Sequence, residues 1–127
     1  MNLVSPLNKV LGLGSAKSGS EHWWAQRLTA VALVPLGFWF ALSIALFEDF
    51  SYTTVAIWIQ QPITGILLLL SVLVAVYHSH LGVQVVVEDY VHGKATRLTL
   101  LIVSSFAHVV LAVAGVFSIL KVAFGAP

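Results

Sequence analysis

The chain reads as an all-α integral membrane protein with three transmembrane helices, and three observations predict that class. Hydrophobic residues fill 59% of the 127 positions and charged residues only 9%, whereas a soluble domain carries about 25% charged residues. The mean hydropathy is +0.98. The apolar residues are gathered into three long blocks instead of alternating with polar ones, so lipid is the solvent for most of the surface. No break in composition and no internal repeat divides the chain, which reads as a single domain over residues 1–127.

The stretch from Met1 to Glu21 contains Lys9 and Lys17 but no compact apolar run with a small-residue cleavage site, and is expected to be retained. A spanning helix needs about 20 largely apolar residues. The first such run is Leu28–Phe47, interrupted only by Thr29, Pro35, Gly37 and Ser43 and stopped by Glu48-Asp49. Pro35 is expected to kink it, which is tolerated where neighbouring helices re-satisfy the freed carbonyl. The second run is Pro62–Val87, with Pro62 suited to a first helical turn. The third is Leu98–Val122, closed by Gly125 and Pro127. The connections Glu48–Gln61 and Glu88–Arg97 are short, which predicts that consecutive helices are antiparallel neighbours.

Orientation follows from the positive charges. Lys9, Lys17 and Arg27 precede the first span, and Lys94 and Arg97 lie between the second and third. The first connection has no Lys or Arg, and only Lys121 opposes the trend. The N-terminus and the Asp89-Tyr90 loop are therefore expected on the cytoplasmic (or matrix) side of an inner, cytoplasmic-type membrane. Trp23 and Trp24 fit an aromatic belt there, and Tyr52 and Trp58 fit the opposite belt.

A net charge of +1 suggests no nucleic-acid partner, and the absence of cysteine excludes disulfides, thiolate zinc sites and Cys-held iron–sulfur clusters. Any electron-carrying group in this chain needs other ligands, histidine first among them. Three antiparallel helices bury little in lipid, where association rests on packing, so a further subunit is expected to complete the bundle.

The most informative segment runs from His78 to Tyr90. Ionisable groups at membrane depth point to function, and His78 lies roughly two to three turns before the end of the second span by helical spacing. Gly82, Val85 and Asp89 share its face, while His80 is turned about 200° away. Gly82 leaves room beside the His78 ring for a flat cofactor or a closely approaching helix. His78 could bind haem iron, or could hydrogen-bond a neighbouring helix. His108, in the third span, could be a second axial ligand or an interhelical hydrogen-bond partner, while His80 faces another interface and His92 is solvated in its loop. Arg27 could snorkel to the headgroups or neutralise a carboxylate such as a haem propionate. Tyr90 could sit in the aromatic belt or donate to a quinone carbonyl, with Asp89 holding local charges in place.

These residues resemble a known family. The run His78-x-x-x-Gly82-x-x-x-x-x-x-Asp89-Tyr90, preceded by Arg27-Leu-Thr-Ala-Val-Ala-Leu, is similar to the small hydrophobic membrane-anchor subunits of succinate dehydrogenase (respiratory complex II), in particular the D-type chain. The similarity covers essentially the whole chain. It implies half of a haem-containing helix bundle shared with a C-type anchor, and partnership with an iron–sulfur and a flavoprotein subunit. It implies that His78 is one axial ligand of haem b, with the other from the C-type anchor, so that His108 is not needed. Arg27 matches an arginine near the propionates, and His22 falls near a histidine that approaches them in some members. Tyr90 matches a tyrosine that hydrogen-bonds ubiquinone, and Asp89 the acid beside it. The alternatives are a single-chain bis-His cytochrome built on His78 and His108, and a non-redox membrane scaffold.

Overall fold

The computed structural model describes residues 14–125, with side chains from Ser20 onward. Lys9, Pro127 and the side chain of Lys17 lie outside the described residues. Four helices follow one another: α1 (Gly14–Ala45), α2 (Tyr52–Gln60), α3 (Pro62–Tyr90) and α4 (Lys94–Ala123). Three stretches are long and apolar enough to cross a membrane: Ser20–Ala45, Pro62–Tyr90 and Lys94–Ala123. The protein is a multi-pass membrane protein.

The expected spans are all found, with three corrections. Helix α1 does not begin at Leu28; it already includes Gly14, so Arg27 lies well inside a helix instead of opening one. Polar residues can continue a helix beyond the hydrocarbon, because apolarity limits the span and not the hydrogen-bond ladder. At its other end α1 stops at Ala45, two residues short of the expected Phe47. It runs through Pro35 without interruption of the helix. Helices α3 and α4 extend to Tyr90 and start at Lys94, leaving a connection of Val91 to Gly93.

The third correction is α2, a helix inside what reads from sequence as a plain connection. Ser51 caps it, its hydroxyl accepting from the Thr54 N–H at 3.3 Å, and Asp49 accepts from the Ser51 N–H and the Thr54 hydroxyl, both at 2.8 Å. A side-chain oxygen at the N-cap satisfies an otherwise orphaned donor, which starts the helix. Trp58 then turns inward. It stacks on Trp39 of α1 at 5.8 Å between centroids and meets Phe47 edge-on at 5.2 Å. Trp58 thus joins a cluster of aromatic rings with Trp39 and Phe47, and Tyr52 is 70% exposed, as a belt residue would be.

The long helices lie in a row, not a closed triangle. Helix α3 packs against α1 on one flank and α4 on the other, α2 covers one end of α3 and α4, and the backbones of α1 and α4 do not approach each other. Both pairs are antiparallel: Thr29 meets His78 while Gln26 meets Gly82, and His108 meets Ser79 while Gly115 meets Val72. At Gly115 the approach is close, since a Cβ there would fall 2.7 Å from Val72 Cγ1. Small residues at such crossings let helix backbones come together in lipid. At the opposite end Gln60 donates through Nε2 to the carbonyls of Val122 (3.3 Å) and Gly125 (3.2 Å), tying α2 to the last turn of α4.

Little is buried. Leu36, Ala56, Leu68, Leu81 and Val87 form the apolar core with Thr64, and α4 has no buried residue at all. Large apolar side chains such as Val34, Phe106, Phe117 and Phe124 are more than 60% exposed. An aqueous fold could not carry such a surface; lipid and other membrane helices can.

Candidate functional site at the α1–α3 seam

One face of α1 presents His22, Gln26 and Thr29, spaced four and three residues apart and so stacked along the helix. Facing them on α3 are His78 and, one turn on, Gly82. The central contact is short: His78 Nδ1 lies 2.8 Å from the Thr29 hydroxyl. That hydroxyl also lies 2.8 Å from the carbonyl of Ala25, to which it donates its only proton. In the tautomer with the imidazole proton on Nδ1, His78 donates to the Thr29 oxygen and Nε2 keeps its lone pair.

The bare Nε2 has only a loose neighbour, the Gln26 amide nitrogen at 3.5 Å, at the outer limit of a hydrogen bond. The same wall holds two buried polar atoms with no hydrogen-bond partner, Gln26 Oε1 and His22 Nε2. Buried polar atoms are nearly always paired, so these unsatisfied or barely satisfied groups on one seam make it the candidate site. A Cβ at Gly82 would meet only Gln26 Nε2, at an ordinary contact distance of 3.7 Å.

Arg27 stands beside this face and is exposed, its guanidinium 5.4 Å from the centroid of the Trp23 ring. A cation–π contact of this kind is worth about 0.5–1 kcal/mol at an exposed site, enough to orient the charge and small enough to release it to a carboxylate. Asp89 and Tyr90 close α3, both exposed, Tyr90 at 77%. Twelve residues separate His78 from Tyr90, about 18 Å along the helix at its usual rise. This is over three turns, slightly more than the sequence reading gives, because α3 continues past Val87. Among the described residues no three His, Asp or Glu side chains cluster as metal ligands would.

The other histidines separate as the helical angles predict. His80 packs against His108 of α4, with ring centroids 5.2 Å apart and an interplanar angle of 62°. His108 donates from Nδ1 to its own Ser104 carbonyl at 2.7 Å, and its Nε2 accepts from Ser79 at 3.2 Å. It is an interhelical hydrogen-bond partner. His78 and His108 lie on opposite flanks of α3, one against α1 and the other against His80, so the structure does not bring together the pair needed for a single-chain bis-His site. His92 is exposed in the α3–α4 connection.

Gln26 was not singled out in the sequence and Thr29 was quoted without a role. The spacing His22, Gln26, Thr29 is the signal that could have found them, since four- and three-residue steps put polar side chains on one helical stripe.

Comparison with known proteins agrees with this organisation. Residues 1–120 match the family described as the succinate dehydrogenase/fumarate reductase transmembrane subunit. The chain is 44% identical to a succinate dehydrogenase hydrophobic membrane anchor subunit of Rickettsia bellii over 95 residues, covering 74% of this chain and 75% of the relative. A Rickettsia conorii protein of the same description is 33% identical over 112 residues, covering 87% and 89%. One from Paracoccus denitrificans is 28% identical over 126 residues, covering 99% and 97%. This chain therefore belongs to the succinate dehydrogenase/fumarate reductase transmembrane-subunit family, among the succinate dehydrogenase hydrophobic membrane anchors.

Proposed function

We propose that the chain supplies half of a haem-containing helix bundle in a succinate:ubiquinone oxidoreductase, the other half coming from a C-type anchor subunit, and that His78 is its axial ligand to haem b. The observation that carries this reading is the state of the His78 ring. Its Nδ1 lies 2.8 Å from the Thr29 hydroxyl while its Nε2 meets only the Gln26 amide at 3.5 Å; with the ring proton on Nδ1, this is the arrangement in which a histidine binds a metal through one nitrogen and is steadied through the other. The unpartnered His22 Nε2 and Gln26 Oε1 on the same wall fit a bound group that brings its own polar edge.

Haem, when bound, supplies a one-electron redox centre close to the quinone. His78 would hold it at the iron. Arg27, released from Trp23, would pair with a propionate in the two-pronged manner guanidinium groups favour, and His22 would donate to the same carboxylates. At the end of α3 the Tyr90 hydroxyl donates to a ubiquinone carbonyl and holds it more strongly as negative charge develops there. The Asp89 carboxylate keeps positive groups close by. Both residues are exposed at a helix end, where water can deliver the two protons that ubiquinol formation requires. Succinate oxidation belongs to the flavoprotein and iron–sulfur subunits, docked on the cytoplasmic (or matrix) face of an inner membrane, and the isolated chain has no activity of its own.

The test is a reduced-minus-oxidised visible spectrum of the complex purified gently through this chain, with its subunits identified. A b-type signal accompanied by two soluble subunits and a second small anchor is expected, with the signal altered or lost in His78→Ala. An unchanged spectrum in that variant would remove His78 as ligand. Tyr90→Phe is expected to impair quinone reduction while succinate oxidation with a soluble dye persists; equal loss of both would assign Tyr90 to assembly instead.

A further inference from the structure

The α1–α3 seam contains a carboxamide to which haem ligation gives no task. Gln26 lies between His22 and Thr29 on the stripe of α1 that faces α3. Its Nε2 is 3.5 Å from His78 Nε2, and it is the atom across the seam that a Cβ at Gly82 would meet, at 3.7 Å. The nitrogen end of the carboxamide is thus turned to the imidazole. The other end is bare, because Oε1 is buried and has no hydrogen-bond partner.

For packing alone this is an expensive residue. A buried oxygen without a partner has given up its hydrogen bonds to water for nothing, and lipid cannot supply a replacement. A leucine would fill the same length of seam and leave no polar atom to satisfy. What the glutamine has, and leucine lacks, is an N–H beside the imidazole. With the ring proton on Nδ1, donated to the Thr29 oxygen at 2.8 Å, the one lone pair left on the ring is that of Nε2. A lone pair serves one partner at a time, so an amide hydrogen bond and a metal bond at Nε2 exclude each other. Turned over, the carboxamide would accept a proton held on Nε2 and would exclude a metal as well. At 3.5 Å the contact is at the outer limit of a hydrogen bond, enough to compete and weak enough to yield.

We propose that Gln26 is a latch on the ligating nitrogen: its carboxamide covers His78 Nε2 and must leave before that nitrogen can take iron, so Gln26 sets how much haem the complex needs for loading. The proposal rests on the reading of His78 as the haem ligand. Thr29 and Gln26 then act on one ring in opposite senses. Thr29, at Nδ1, prepares Nε2 for a metal; Gln26, at Nε2, competes with it. An interhelical hydrogen bond in a membrane is worth about 0.6 kcal/mol on average, so removing the competitor should lower the half-saturating haem about threefold. A residue that only packed the seam would have the opposite sign, since its loss would loosen the ring and raise the haem required.

The test uses the intact complex assembled under haem limitation, titrated with haem and read from the reduced-minus-oxidised spectrum. Gln26→Leu and Gln26→Met keep the bulk of the side chain without its donor, and both are expected to reach half-saturation at about one third of the parent's haem. A requirement unchanged or raised in either would overturn the proposal. Nitrogen NMR of the haem-free complex, with labelled histidine, reads the contact itself. The His78 Nε2 resonance is expected to move in Gln26→Leu while that of Nδ1 stays in place, and an Nε2 resonance that does not move would also overturn the latch. His78→Ala separates the two readings. Haem loading unchanged in His78→Ala removes the ligand assignment and the latch with it, whereas haem lost in His78→Ala but bound no more readily in the Gln26 variants removes the latch alone.

Discussion

The hydroxyl of Thr29 is the smallest change that separates a structural His78 from a ligating one. Thr29→Val keeps the β-branched shape and removes the oxygen, so α1 and α3 can pack as before while His78 Nδ1 loses its acceptor at 2.8 Å. For the fold the loss is modest: interhelical hydrogen bonds in membranes are worth about 0.6 kcal/mol on average and about 1.7 at most. Part of even this is offset, because Val returns no hydroxyl to the Ala25 carbonyl and so leaves the α1 ladder unshared. For the ligand the loss is larger, since removing the partner that orients a metal-bound histidine costs about 10- to 100-fold in metal affinity. Without Thr29 the proton is free to move to Nε2, where it blocks the lone pair. The assay is haem content per complex across a titration of added haem, read from the reduced-minus-oxidised spectrum, alongside thermal unfolding in detergent. The expected result is a small change in unfolding and a tenfold or greater rise in the haem needed for half-saturation, with Thr29→Ser close to the parent. Haem occupancy unchanged in Thr29→Val would refute the assignment of the tautomer, and with it the reason for calling this seam a ligand site.

Three further outcomes follow from the packing. Gly115→Val puts a side chain where a Cβ already falls 2.7 Å from Val72; overpacking of this kind costs about 1–3 kcal/mol, seen as a lower midpoint of thermal unfolding, whereas Gly37→Ala, with nothing within 4 Å of the added Cβ, should leave it unchanged or raised. Gln60→Leu removes both bonds to the end of α4 and is expected to speed amide hydrogen exchange over Ile119–Ala123 while sparing the middle of the helix. The Asp49 carboxyl is held below the usual carboxylate range by hydrogen bonds from Ser51 and then Thr54. A lowered value in the folded state means that its contribution is complete above the unfolded value of about 3.9 and is lost as pH falls below it. Protection of the first-turn amides of α2, taken relative to the intrinsic exchange rate at each pH, should therefore fall below about pH 4 and stay flat between neutral pH and about 5, and Asp49→Ala should show low protection throughout.

The spans were legible because the hydrocarbon imposes one requirement, a long apolar run, that a block such as Ile66 to Leu70 in α3 helps to satisfy on composition alone. Their ends were not, since polar residues from Gly14 to Arg27 continue the same hydrogen-bond ladder beyond the apolar limit. Helix α2 was hidden for a different reason. Its signal is a nine-residue capped segment, Ser51 with Thr54, inside a stretch whose tryptophan and tyrosine read equally well as belt residues. Of the site, His78 stood out by chemistry, and the helical angle correctly sent His80 to another flank. Which helix faces His78 could not be read, because three-residue and four-residue steps on α1 and α4 each offer polar stripes. Only the packing shows that Thr29 and Gln26 hold the ring and that His108 belongs to His80.

The row of helices explains why one chain carries two unfinished polar sites. With α3 in the middle, each flank is covered once, by α1 on the His78 side and by α4 on the His80 side, and the backbones of the two covering helices do not approach each other. A closed three-helix bundle would bury both sets of histidines against its own side chains and leave nothing for a partner. Along these two seams His22, Gln26 and His80 each keep a buried polar atom with no hydrogen-bond partner among the described residues, a cost that lipid cannot relieve. The two flanks differ in chemistry, one setting His78 against Thr29 and Gln26 and the other setting His80 against His108.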